Sequence, residues 1–135
     1  MAQNNNNKES NFVSAVVCLH NAGASAAEFF AALDGVLAEH FSHYELIAVN
    51  DGCTDDTVPA LKKWAAEHLK APLTVVNMSL RQGVERAMNA GLDAAIGDFV
   101  FEFDRPAMNY APDLIWQAYQ KALTGFKSDR SHVVL

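Results

Sequence analysis

From residue 12 onward the chain switches regularly between two hydrophobic patterns. Five short runs, FVSAVVCL (12–19), YELIAVN (44–50), LTVVNM (73–78), DFVFEF (98–103) and SHVVL (131–135), are apolar at most positions and rich in β-branched or aromatic residues. Such runs predict strands covered on both faces. The segments between them have helical spacing. Residues 25–41 place Phe29, Phe30, Leu33, Val36 and Leu37 on one side, with Ser25 as the expected N-cap and Glu28 three residues later. Residues 55–70 carry acids in the first turn and a lysine at the end, in keeping with the helix dipole. Pro59 fits there only because it falls near the first turn. Residues 83–96 align Val84, Ala87, Met88, Gly91, Leu92 and Ala95 in a stripe, and 111–123 carry Pro112 at a natural first-turn position.

Strands joined by helical crossovers predict an α/β domain: a mostly parallel central sheet with helices on both faces. Residues 1–11, MAQNNNNKESN, are polar and low in complexity and are expected to form a disordered leader. The domain is expected to run from 12 to 135 and to be truncated at its C-terminal end, because the final strand has no continuation.

Composition narrows the classes. The 135 residues suffice for one domain with a real core. A net charge of −6 argues against a partner of nucleic-acid type, which needs a basic face. Cys18 and Cys53 stand far apart without zinc-type spacing and predict reduced, partly buried thiols. No apolar run is long enough to span a bilayer and the N-terminus is polar, so the expected location is cytoplasmic, or the inner face of a membrane through regions beyond this chain.

In open parallel sheets ligands bind beyond the carboxyl ends of the strands. The residues there are Leu19-His20-Asn21-Ala22-Gly23, Asn50-Asp51-Gly52-Cys53-Thr54-Asp55-Asp56, Ser79-Leu80-Arg81-Gln82-Gly83 and Asp104-Arg105-Pro106. Polar and charged groups gather at all four exits. Neither the GxGxxG turn of dinucleotide folds nor the GxxxxGK[ST] phosphate loop is present, which disfavours a dinucleotide oxidoreductase.

VSAVVCLHN (13–21), YELIAVNDGCTDDT (44–57), RQGVERAMNAGLDAAIGDFVFEFD (81–104) and PDLI (112–115) resemble, in order and spacing, the family 2 nucleotide-sugar glycosyltransferases of GT-A type. The resemblance covers about residues 13–135. It implies a Rossmann-like half that binds a nucleoside diphosphate sugar, UDP-linked by preference, and an inverting transfer to a hydroxyl acceptor, as in the assembly of cell-envelope polysaccharides. It places Cys18, His20 and Asn21 at the base and ribose pocket, with His20 where the family usually has an aromatic residue. Asn50 and Asp51 match an acidic pair, with Asp51 the expected partner of the base. Gly83, Ala87 and Asn89 match the segment near nucleotide and sugar. Asp104 matches the first acid of the Asp-x-Asp motif, which makes it the expected contact to ribose or phosphate and the candidate ligand for Mn or Mg; the motif's second acid, the direct metal ligand, is replaced here by Pro106, which has no side-chain oxygen. The family's general base lies beyond this chain, so no catalytic residue is assigned.

The residues also have plainer readings. Asp55 and Asp56 are expected to cap a helix, and His40, His43, His68 and His132 to sit at surfaces or helix ends. Glu102 is expected at an exposed sheet edge. Arg81 and Arg105 are either solvated loop residues or partners for phosphate oxygens, and Arg105 stands beside the lost carboxylate. Pro106 also keeps open a second function class, a catalytically inactive transferase-like module that binds a nucleotide or a partner protein.

Overall fold

The computed structural model describes residues 8–124 and 131–135. Nine elements alternate: β1 (Glu9–Leu19), α1 (Ala24–His40), β2 (Phe41–Asp51), α2 (Thr57–His68), β3 (Leu73–Met78), α3 (Val84–Ala94), β4 (Phe99–Phe103), α4 (Asp113–Thr124) and β5 (Ser131–Val134). The five strands form one sheet in the order β3-β2-β1-β4-β5, with every pairing parallel. The expected α/β class holds. Strand order reverses between β1 and β4, which puts the switch point at the middle of the sheet.

β1 shows why the middle strand reads as unbroken apolar sequence. Val13, Ala15, Val17 and Leu19 pack under α1, α2 and α4, whereas Val16 and Cys18 face α3 on the other side. Gly91 lets α3 lie close. A Cβ there would stand 2.3 Å from Val16 Cγ1 and 2.8 Å from Val49 Cγ2. The two faces are unequal, with three helices on one and α3 alone on the other. Since β2 and β3 step one way from β1 and β5 steps the other, α4 on the α1 face makes the β4–α4–β5 crossover opposite in hand to the rest. An aromatic cluster holds α4 there. The Tyr119 ring meets Phe41 edge-on at 4.7 Å and Phe99 at 5.0 Å.

Three local expectations need correction. β1 begins at Glu9, so the last three residues of the expected leader belong to the sheet; residues 1–7 lie outside the described residues. Glu9 pairs with Phe41, and the Tyr119 hydroxyl donates to Glu9 at 2.8 Å and accepts from Asn11 Nδ2 at 2.8 Å, partners that composition does not reveal. Ser25 is not the cap of α1; Gly23 occupies that position, and its N–H donates to Thr57 Oγ1 at 2.7 Å. Glu102 is not simply exposed, because it pairs with His132 Nδ1 at 2.6 Å across β4 and β5.

Candidate functional site

The carboxyl ends of β1, β2 and β4 open onto a cleft of about 200 Å³ lined by Cys18, Leu19, His20, Asp51, Arg81, Val84, Asp104, Arg105 and Pro106. The exits of β2 and β4 thus place Asp51 and Asp104 in one hollow. Two further hollows of about 420 and 410 Å³ adjoin it through Asp104, one along α3 and one along the β4–α4 loop. The three together reach the size range of small-molecule sites. A larger hollow of about 510 Å³ between α2 and β3 is lined by Lys62 and apolar residues and offers no acid.

Asp51 is 3% exposed, and both its oxygens are engaged. Oδ1 accepts the N–H of Gln82 at 2.6 Å and Oδ2 that of Gly83 at 3.0 Å. The carboxylate therefore fastens the β3–α3 loop to the end of β2. Gly52 makes this closeness possible. It has φ +69, and a Cβ on it would meet Arg81 N at 2.6 Å. The expectation that Asp51 is the acceptor for a base changes accordingly: its strongest acceptor directions already serve the fold.

His20 is held by the same strand end. Its Nδ1 lies 2.8 Å from the carbonyl oxygen of Asp51. A carbonyl only accepts, so Nδ1 carries the proton and the neutral ring presents Nε2 as an acceptor. Among the described residues no protein group pairs with Nε2.

Asn21 and Asn50 do different work from that expected, and neither lines the cleft. Asn21, at φ 50, accepts from Thr54 N at 2.8 Å and Asp55 N at 3.3 Å, tying the β1 exit to the β2 exit. Asn50 accepts from Cys53 N at 2.9 Å and donates to Asn77 at 2.9 Å. Gly83 serves as the partner of Asp51 and the N-cap of α3. Ala87 is wholly buried against the sheet, while Asn89 is exposed and lines the hollow along α3. The expected capping holds only in part: Asp56 is the N-cap of α2 but makes no side-chain cap bond, no acid lies in the first turn, and Asp55, one residue earlier, accepts from Thr57 N at 3.0 Å and Thr57 Oγ1 at 2.5 Å. Those bonds, the hydroxyl first, hold its carboxyl below the usual range.

Cys18 lies at the floor, 3% exposed. Burial, then the nearby charges of Asp104, Asp51 and Glu102, push its thiol from 9.0 up to about 12. It is a neutral thiol wall of the cleft at ordinary pH.

Asp104 is exposed, and among the described residues nothing donates a hydrogen bond to it. The donors needed to hold a divalent cation do not assemble around it. No group of three or more His, Cys, Asp or Glu side chains suited to a metal exists among the described residues. Pro106 contributes no side-chain oxygen, and Asp51 is turned to the backbone. The residues present do not fit a metal held by the protein alone.

Sequence reasoning missed Val84 as a cleft wall, whereas Leu19 was among the expected strand-exit residues and does line the cleft. Val84 had a readable signal: it is a helix-entry valine beside Gly83, and it stays 46% exposed. Tyr110, whose buried hydroxyl has no partner, lines the hollow on the β4–α4 side and had no such signal.

Comparison with known proteins identifies the family and the fold. The chain is 32% identical over 114 residues to an uncharacterized glycosyltransferase of Synechocystis, covering 84% of this chain and 35% of that protein. It is 29% identical over 98 residues to the undecaprenyl-phosphate 4-deoxy-4-formamido-L-arabinose transferase of Pseudomonas syringae, covering 73% of this chain and 29% of the relative. The chain thus spans about a third of the length of these relatives. Among solved structures, the mannosyltransferase PcManGT from Pyrobaculum calidifontis in complex with GDP-Man and Mn2+ superposes with a TM-score of 0.71 at 25% identity, over 83% of this chain and 32% of that one. Mycobacterium tuberculosis glucosyl-3-phosphoglycerate synthase shares the fold, with a TM-score of 0.59 at 21% identity, over 85% of this chain and 41% of that one. The model of glycosyl transferase family 2 matches residues 14–105, from the buried root of β1 to the far lip of the cleft, and the chain belongs to that family with a GT-A type fold.

Proposed function

We propose that the cleft binds a nucleoside diphosphate sugar and that the whole protein transfers the sugar, with inversion, to an acceptor oxygen. The observation that carries this reading is the convergence of Asp51, Arg81, Asp104 and Arg105 from three strand exits on one hollow. In the transfer an acceptor oxygen attacks the anomeric carbon as the bond from that carbon to the diphosphate breaks. A hydroxyl acceptor gives its proton to a base, an ionised phosphate acceptor has none to give, and in both cases the diphosphate leaves with the bonding electrons. The acceptor oxygen is a hydroxyl, or a lipid phosphate of the kind named in the bacterial relatives.

Within the cleft, His20 Nε2 is the open acceptor for an N–H or O–H of the nucleoside. Asp51 positions the loop that carries Arg81. Asp104 faces sugar or ribose hydroxyls, which a carboxylate accepts well. With both oxygens of Asp51, the expected partner of the base, engaged by backbone N–H groups, recognition of the base passes to His20.

Calorimetric titration with UDP, GDP and their sugar conjugates tests this reading. Saturable one-to-one binding that Asp104→Ala weakens supports it. Absence of binding to every nucleotide overturns it and leaves the partner-binding module as the better description.

A further inference from the structure

A diphosphate brings concentrated negative charge, and something must offset it. In the Asp-x-Asp pattern a divalent cation does so, held by the second acid. This chain has Pro106 there, and the described residues provide no metal-type donor cluster. Two guanidinium groups reach the same cleft, Arg81 from the β3–α3 loop and Arg105 from the β4 exit. Both residues are exposed, and among the described residues no carboxylate lies within ion-pair distance of either. Their charges are therefore available to a ligand.

The backbone beneath each is held. Arg81 abuts Gly52, and the next two N–H groups are fastened by Asp51. Arg105 begins a tight turn, its carbonyl accepting from Ala107 N at 2.9 Å. Asp51 and Asp104 bring two negative charges to the same cleft, but Asp51 already spends its oxygens on backbone donors. Arginine suits the task because its planar fork binds phosphate oxygens in pairs.

We propose that Arg81 and Arg105 grip the diphosphate from two sides and offset its charge in place of a protein-held divalent cation, so that nucleotide binding is metal-independent. The proposal rests on the nucleotide-sugar reading above and extends it.

The test is calorimetric titration of the purified protein with UDP and with GDP, in EDTA and in manganese. Wild type is compared with Arg105→Ala, Arg81→Ala, the double variant and Arg105→Lys. For the nucleotide that binds, affinity in EDTA and in manganese is expected to agree within about twofold. Each alanine substitution is expected to weaken binding about tenfold in EDTA and to flatten its salt dependence. Arg105→Lys is expected to recover part of the loss, because it keeps the charge and loses the fork. Urea midpoints of the variants are expected to match wild type, since both side chains are exposed. Binding that requires manganese overturns the proposal while leaving the nucleotide reading intact, as does unchanged affinity of the double variant in EDTA. Absence of binding in both conditions overturns both.

Discussion

The two ends of the sheet each hold polar groups close to the core, yet they differ in how those groups are satisfied. At the amino end, Ser14 is wholly buried and Glu45 is 7% exposed. The Ser14 hydroxyl donates to Glu45 Oε2 at 2.6 Å, the same oxygen accepts Ile96 N at 2.8 Å, and Gly97 N donates to Ser14 Oγ at 2.9 Å. This network fastens the chain between α3 and β4 to the sheet, and its partners are all internal. At the carboxyl end, Asp51 is satisfied in the same way by Gln82 and Gly83, but around it His20 Nε2, Asp104, Arg81 and Arg105 keep bonding capacity unused. Buried polarity alone does not mark a site. Polar groups that remain unpaired in a shared hollow, beside one that is fully paired, distinguish a ligand surface from a structural network.

The sharpest way to break this contrast is at Asp51, which belongs to both categories. Asp51→Ala leaves two backbone donors of the β3–α3 loop without their charged acceptor and is expected to cost about 3 kcal/mol or more of stability. It also releases Arg81, so nucleotide affinity should fall further than stability alone explains. Urea unfolding combined with titration of the folded fraction measures both. Glu45→Ala is the control from the other end. Its expected cost is about 2 kcal/mol, with the affinity of folded molecules unchanged. A clear loss of affinity would show that the two ends are not separable.

His20→Phe should do the reverse of Glu45→Ala. It retains a ring against the cleft and removes both ring nitrogens, so binding is expected to weaken about five- to tenfold while stability changes by less than about 1 kcal/mol. Equal affinity would remove Nε2 from base recognition.

The last effect is absent at neutral pH and concerns Cys18. Its folded thiol titrates near 12 and its ordinary value is 9.0, so across that window the unfolded chain binds fewer protons than the folded one. Stability from this source is fully present below pH 9 and is lost as pH rises toward 12. Tyr119, raised from 10.0 to about 12 chiefly by burial, acts in the same direction. Cys18→Ala should reduce the alkaline slope without abolishing it. In the native protein Cys18 should resist iodoacetamide at pH 8 and react once urea unfolds the chain.

The order of elements was legible because each strand is apolar on two faces and each helix on one. Boundaries were less so. β2 begins at Phe41 rather than at Tyr44, because its first residues pair with β1 while Ser42 and His43 stay exposed. The cleft's acids were legible from their place after the strands, whereas their roles were not. Asp51 and Asn50 look alike in sequence as strand-end acceptors. Only the fold shows that one fastens a distant loop and the other its own turn and a neighbouring strand. The Ser14–Glu45 pair joins residues 31 positions apart, and no local pattern announces it.

The central claim is that the carboxyl-end cleft is where the nucleotide diphosphate binds. Amide chemical-shift mapping with UDP-sugar and GDP-sugar ligands tests it most directly. The account predicts that the shifted amides cluster at residues 18–21, 50–53, 81–85 and 104–106 and spare residues 14, 45, 96 and 97. Shifts centred on the hollow between α2 and β3, or none near Asp104 and Arg105 at saturation, would contradict it.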